Sequence, residues 1–231
     1  MNNLQRIGGV AALSEAVIYI SAFIFFGAFW DFPANAAAVE KFSFLADNQI
    51  ILSIVNLTMY VVFGIFLAVL VLALHQRVKN CAPALSQIAS VFGIIWVGLI
   101  IASGMIANIG LAAVIEISVK APEQAMTVWL TINAIIEGLG GGNEIVGGLW
   151  VLLLSIAALK ANQLPKVLNY LGLCIGCAGI LTIYPAEVLT EIFGLGQIAW
   201  FAWLGIIMVQ KPSKPSKQTR ETSKNVLSHA N

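Results

Sequence analysis

Four polar side chains stand inside the longest apolar stretch of this chain, Asn133, Glu137, Asn143 and Glu144, and a fifth, Glu15, interrupts the first. An acidic side chain at the centre of a bilayer costs about 2.5–3.5 kcal/mol on insertion, against about 0.3–0.6 gained per Leu, Ile, Phe or Val. The surrounding apolar residues therefore still carry these groups into the membrane, and their presence needs a reason. One reason is chemical: a carboxyl without a counter-charge in hydrocarbon prefers its neutral form, which suits a proton carrier or a hydrogen-bond donor to a ligand. The other is architectural: the same carboxyls hydrogen-bond neighbouring helices and hold the bundle together. Both readings stay open for Glu15, Glu137 and Glu144, whereas Asn56 and Asn108, single polar residues in apolar stretches, read as interhelical hydrogen-bonding groups.

Helical spacing places Asn133, Glu137 and Glu144 near one face, four and then seven residues apart, with Gly140 between them and Gly148 beyond. That face is expected to look into the bundle. The glycines Gly138, Gly140, Gly141 and Gly142 let a neighbouring helix approach closely or, if the helix breaks there, leave backbone carbonyls to line a cavity. Along straight helices Glu15 lies about 13 Å from Arg6 and Glu144 about 24 Å from Lys160, depths near the middle of a membrane.

Other chemistries lack their residues. The sequence carries no H-E-x-x-H for an intramembrane zinc site, no aspartate within an apolar stretch and no Walker loop. Ser103-Gly104 has no intramembrane histidine to activate it, since His75 stands at the end of one stretch and His229 in the tail. The same two positions exclude a haem held by paired intramembrane histidines. Three cysteines, Cys81, Cys174 and Cys177, suggest no disulfide framework. Cys174 and Cys177 share a helix face and read as small packing residues, and Gly172 with Gly176 forms a GxxxG suited to close helix contact. Trp30, Trp129, Trp200 and Trp203 read as interface anchors or packing residues, not as an aromatic ligand cage. The expectation is a protein that is not an enzyme and holds no cofactor or metal.

The elements that position these residues follow from composition. Of 231 residues 59% are hydrophobic and 10% charged, and the mean hydropathy is +0.91, where a soluble domain carries about 25% charge. A soluble globular chain is excluded, and an all-α polytopic membrane protein is expected. A membrane-crossing helix needs about 20 apolar residues, and six stretches qualify, at about 7–30, 49–74, 85–115, 125–159, 167–184 and 192–209. The fourth, about 35 residues or roughly 50 Å as a helix, exceeds the roughly 30 Å hydrocarbon core, so it must tilt, protrude or break near its glycines. Residues 1–210 thus form one six-span transmembrane domain, and 211–231 a basic tail expected to be disordered. The loop 31–48 has room for a short amphipathic helix over Ala36 to Leu45.

Charge placement orients the spans, because short cytoplasmic loops retain Lys and Arg. Ten of the twelve basic residues fall on one side: Arg6, Arg77, Lys79, Lys160, Lys166, Lys211, Lys214, Lys217, Arg220 and Lys224. The opposite loops hold Lys41 and Lys120 beside Asp31, Glu40, Asp47, Glu116, Glu123, Glu187 and Glu191. Both termini are expected in the cytoplasm, with the fourth stretch crossing once. A cleaved signal peptide ending near Ala34-Asn35-Ala36 is disfavoured, because the apolar run is about twice the usual 7–15 residues and contains Glu15. The tail suits anionic lipid head groups at about 1 kcal/mol per Lys or Arg. A net charge of +1 gives no pointer to nucleic acid.

The run from Glu137 through Gly138, Gly140, Gly141, Gly142, Asn143 and Glu144 to Trp150, with a basic N-terminus leading into Gly8-Gly9 and a six-span layout, resembles a bacterial membrane family, catalogued as domain of unknown function 4386. The resemblance covers the chain apart from its tail and implies a bacterial inner (plasma) membrane protein. It transfers no catalytic or binding residue. Two functions follow as expectations. The first is a small transporter or ligand-binding bundle for a small solute or proton, with Glu144, Asn143, Glu137, Asn133 and Glu15 as a proton- or cation-sensitive site. The second is a sensor or assembly subunit whose intramembrane polar groups are structural. Oligomeric state is left open by the sequence.

Overall fold

Proline and asparagine punctuate the chain where helices must turn. Pro83 and Pro122 stand in the first turns of their helices, where a missing N–H is harmless, and Pro165 immediately precedes another. The computed structural model describes residues 2–139, 144–184 and 186–210. Within them the chain is helical throughout, with no strand. The order is α1 (Asn2–Ile24) running into a π-helical turn (Phe25–Phe29), α2 (Ala38–Asp47), α3 (Gln49–Asn56), a second π-helical stretch (Leu57–Val62), α4 (Phe63–Val78), α5 (Pro83–Ser118), α6 (Pro122–Gly138), α7 (Glu144–Ala161), α8 (Lys166–Leu181) and α9 (Glu187–Gln210).

Five of these helical runs are long and apolar enough to cross a membrane: Asn3–Phe29, Gln49–Val78, Pro83–Ser118, Glu144–Ala161 and Val188–Gln210. The expected fifth span corresponds to α8, which at 16 residues is shorter. The expected fourth span is two helices: α6 ends at Gly138 and α7 begins at Glu144. Both lie antiparallel on α5, since Gly110 packs on Ile132 of α6 and Gly93 on Trp150 of α7. The two pieces thus pass α5 in one direction, and the 36-residue α5, about 54 Å long, serves both. Gly140, Gly141, Gly142 and Asn143 lie outside the described residues, as does the tail from 211.

Antiparallel contacts arrange the remaining helices. α1 lies between α4 and α9, with Gly8 on Ala73 and Gly9 on Met208. α7 and α8 meet at their glycines: a Cβ on Gly148 would sit 2.8 Å from the Gly176 carbonyl oxygen and 3.0 Å from Gly179 Cα. The expected GxxxG contact is therefore present. Cys174 and Cys177 do not serve it, because both are exposed on the outer face of α8. A helix presents only one stripe to its partner, and the glycines hold that stripe.

The core's middle is an aromatic layer. Phe63, Trp96, Trp150, Trp200 and Phe201 are buried, with centroids 5.9 Å apart for Phe63 and Trp96, 5.7 Å for Trp96 and Trp150, and 5.7 Å for Trp150 and Trp200. A second, smaller cluster at the end of the bundle away from the termini joins Phe42 and Leu45 of α2 to Leu52, Leu111, Val114 and Ala125. The expected amphipathic helix is thus α2, and its apolar face rests on the ends of the bundle helices.

Candidate functional site

A cavity of about 240 Å³ lies at the end of the bundle away from the termini, beside α2. Its polar wall comes from three separate elements: Asn56 closes α3, Tyr60 stands in the second π-helical stretch, and Asn133 and Glu137 project from α6 one turn apart. Its apolar wall includes Phe26, Trp30, Phe32 and Trp129. Both π-helical stretches contribute to it, Phe26 from the first and Tyr60 from the second. Such stretches change which side chains point inward and are frequent at functional sites.

The two asparagines of the sequence reading act as expected and one does more. Asn56 Nδ2 donates to Asn108 Oδ1 at 3.3 Å, and Asn108 Nδ2 donates to the Ser53 carbonyl at 3.3 Å, tying α3 to α5. Asn56 also faces the cavity.

Tyr60 separates this cavity from a smaller one, about 90 Å³, lined by Tyr19, Met59, Phe63 and Ile100. Tyr60 can stand there because Gly104 of α5, lacking a side chain, leaves room for its Cβ. One turn of α1 beyond Tyr19 is Glu15, fully enclosed, with no hydrogen-bond partner on either carboxyl oxygen among the described residues. Tyr60 thus lines both cavities, and Tyr19 lines the smaller one.

Asn133 and Glu137 of α6 thus share one cavity with Tyr60, while Glu15 of α1 lies one turn from Tyr19, which lines the next. The carboxyls are not equivalent. Glu137 and Asn133 line the large cavity, whereas Glu144 is half-buried in the first turn of α7 and outside its lining. The single stripe from Asn133 to Gly148 does not persist across the interruption: Gly148 faces α8, while Glu137 faces the cavity. Asn143 lies outside the described residues.

Sequence reasoning missed Tyr19 and Tyr60, whose types are common in membrane helices, and assigned Trp30 and Trp129 only to anchoring or packing. Both tryptophans stand on the cavity wall; Trp200 is core, and Trp203 is partly exposed. The available signal was the clustering of Phe25, Phe26, Trp30 and Phe32 at one helix end. Among the described residues no group of three His, Cys, Asp or Glu side chains is placed to hold a metal.

Comparison with known proteins adds no relative: no family model, curated protein or solved structure matches the chain.

Proposed function

We propose that the protein is a small multi-pass membrane transporter or ligand-binding bundle with a proton- or cation-sensitive carboxyl site between α1, the α3–α4 run, and α6–α7. The supporting observation is the cavity bearing Glu137 and Asn133, which shares Tyr60 with a second cavity at Tyr19, one turn of α1 from the enclosed Glu15, whose carboxyl oxygens have no hydrogen-bond partner among the described residues. An architectural carboxyl would be bonded to a neighbouring helix; among the described residues Glu15 has no such bond. Tyr60 lines both cavities and Tyr19 lies one turn of α1 from Glu15, and a tyrosine hydroxyl both donates and accepts, as a proton relay needs.

In this reading α6 and α7 together make one crossing and α8 another, which gives six spans with both termini in the cytoplasm and the cavity facing outward. The sorted basic residues support that orientation. The resemblance to the bacterial family called domain of unknown function 4386 supports an inner-membrane location. Anionic lipid head groups at the basic tail are the partners it proposes, and no catalytic step is assigned.

The aromatic layer through Phe63, Trp96, Trp150 and Trp200 favours the alternative, a sensor or assembly subunit, because it closes the way from the cavity to the terminal end. An alternating-access carrier open on one side presents the same closure. Flux decides between them. Proton and cation flux, with and without candidate solutes, is measured in liposomes holding wild type, Glu144→Gln or Glu137→Gln, with thermal stability of each. Transport predicts flux lost in variants that melt like wild type. No flux in any protein, with variants that melt earlier, overturns it.

A further inference from the structure

The larger cavity carries its own ligand chemistry. Among the described residues its lining has one carboxylate, Glu137, and neither lysine nor arginine. Around it stand Trp30, Trp129, Tyr60 and Phe26, rings whose faces attract cations, together with the carboxamide of Asn133. A carboxylate beside several aromatic faces is complementary to a weakly hydrated organic ammonium group, which a bare aromatic wall or a bare carboxylate would not select. A compact inorganic cation fits less well, since stripping its water requires several oxygen ligands and most of this wall is carbon.

The surroundings act in the same direction. The elements bordering the cavity expose Asp31, Glu40, Asp47, Glu116 and Glu123 against the exposed Lys120 and the half-buried Lys41. That excess of negative charge raises the local concentration of cations. The volume sets the size: about 240 Å³ takes a group as large as trimethylammonium with a short arm, and is smaller than the roughly 300–1,000 Å³ of drug-sized pockets.

We infer that the cavity binds small organic ammonium cations, with Glu137 as counter-charge and Trp30, Trp129 and Tyr60 as the aromatic wall. This rests on reading the cavity as the solute site and names the class of solute.

Three probes of one shape separate charge from size: choline, its neutral isostere 3,3-dimethyl-1-butanol, and the anion 3,3-dimethylbutanoate. Each is titrated into the full-length protein in nanodiscs at constant ionic strength, by calorimetry and tryptophan fluorescence. Choline is expected to bind and change the fluorescence, and to bind at least about tenfold more tightly than the isostere. Glu137→Gln should weaken choline by at least about tenfold while Glu137→Asp retains most of the binding. Trp129→Leu should weaken it where Trp129→Phe, keeping an aromatic face, does so less; thermal melts confirm that each variant is folded. Equal binding of choline and the isostere, tighter binding of the anion, or no binding of any probe overturns the inference. Sodium chloride displacing choline at constant ionic strength, with choline no tighter than sodium, also overturns it in favour of an inorganic cation site. If carboxyl-dependent proton flux persists while choline fails to bind, the transport reading stands and the ligand class falls. If choline binds through Glu137 but no flux occurs, the ligand class stands and transport falls.

Discussion

Arg77 and Gln5 meet inside the bundle, where Nη1 of the guanidinium donates to Oε1 of Gln5 at 3.2 Å. Gln5 in turn donates its Nε2 to the Ala73 carbonyl at 2.6 Å, and Arg77 Nη2 donates to the Gln163 carbonyl at 3.2 Å. That carbonyl is presented by the end of α7, where Asn162 adopts a left-handed conformation with φ 55°. Its N–H bonds the Leu159 carbonyl while the Gln163 N–H bonds that of Ala158, the helix-ending arrangement that favours Gly or Asn. One arginine thus ties α1 and α4 to the α7–α8 turn.

Arg77→Met should lower thermal stability by roughly 1–3 kcal/mol, because it strips donors from buried acceptors. Arg77→Lys keeps the charge but lacks the planar fork, so it should recover only part of the loss. Melting of detergent-purified protein, followed by retention of the monodisperse peak, measures both.

Glu15 is expected to separate stability from function. Its carboxyl is enclosed and has no hydrogen-bond partner among the described residues, so Glu15→Leu should leave stability unchanged or raise it by up to about 1–3 kcal/mol. The same variant should abolish proton-coupled flux. A clear drop in melting temperature would instead show that the carboxyl holds the helices together.

Glycines distinguish contact from open surface. Gly148→Val would drive a Cβ against the backbone of α8 and should cost about 1–3 kcal/mol or prevent folding. Gly98, in the middle of α5, has nothing within 4 Å of where a Cβ would be. Gly98→Ala should be tolerated, with a gain of about 0.5–1 kcal/mol from helix propensity. Parallel melts of the two variants test the α7–α8 packing directly.

Native cysteines report topology. Cys81 is exposed in the α4–α5 turn, while Cys174 and Cys177 are exposed on the side of α8. With the termini inside, Cys81 should react with a membrane-impermeant maleimide only after the cells are permeabilised. If α8 crosses the membrane as proposed, Cys174 and Cys177 should stay unreactive until denaturation. Labelling of Cys81 in intact cells would reverse the orientation.

The apolar runs at about 7–30, 49–74 and 85–115 became helices close to those bounds because hydrocarbon-length apolar stretches have few other ways to satisfy their backbone. Composition and spacing also gave a break near the glycines as one of three options for the fourth stretch, room for the short helix α2 in the 31–48 loop, and Asn56 and Asn108 as interhelical groups, though not as partners of each other. All of these are local properties of composition and spacing. The cavity is not local. It exists because Tyr60 stands in a π-helical stretch, because Gly104 gives that side chain room, and because α6 lies along α5. Whether Trp129 anchors, packs or lines a site, and whether Arg77 marks a cytoplasmic loop or ties helices together, depends on which neighbour faces each side chain. Helix periodicity assigns a residue to a face, and only the packing of helices decides what that face meets.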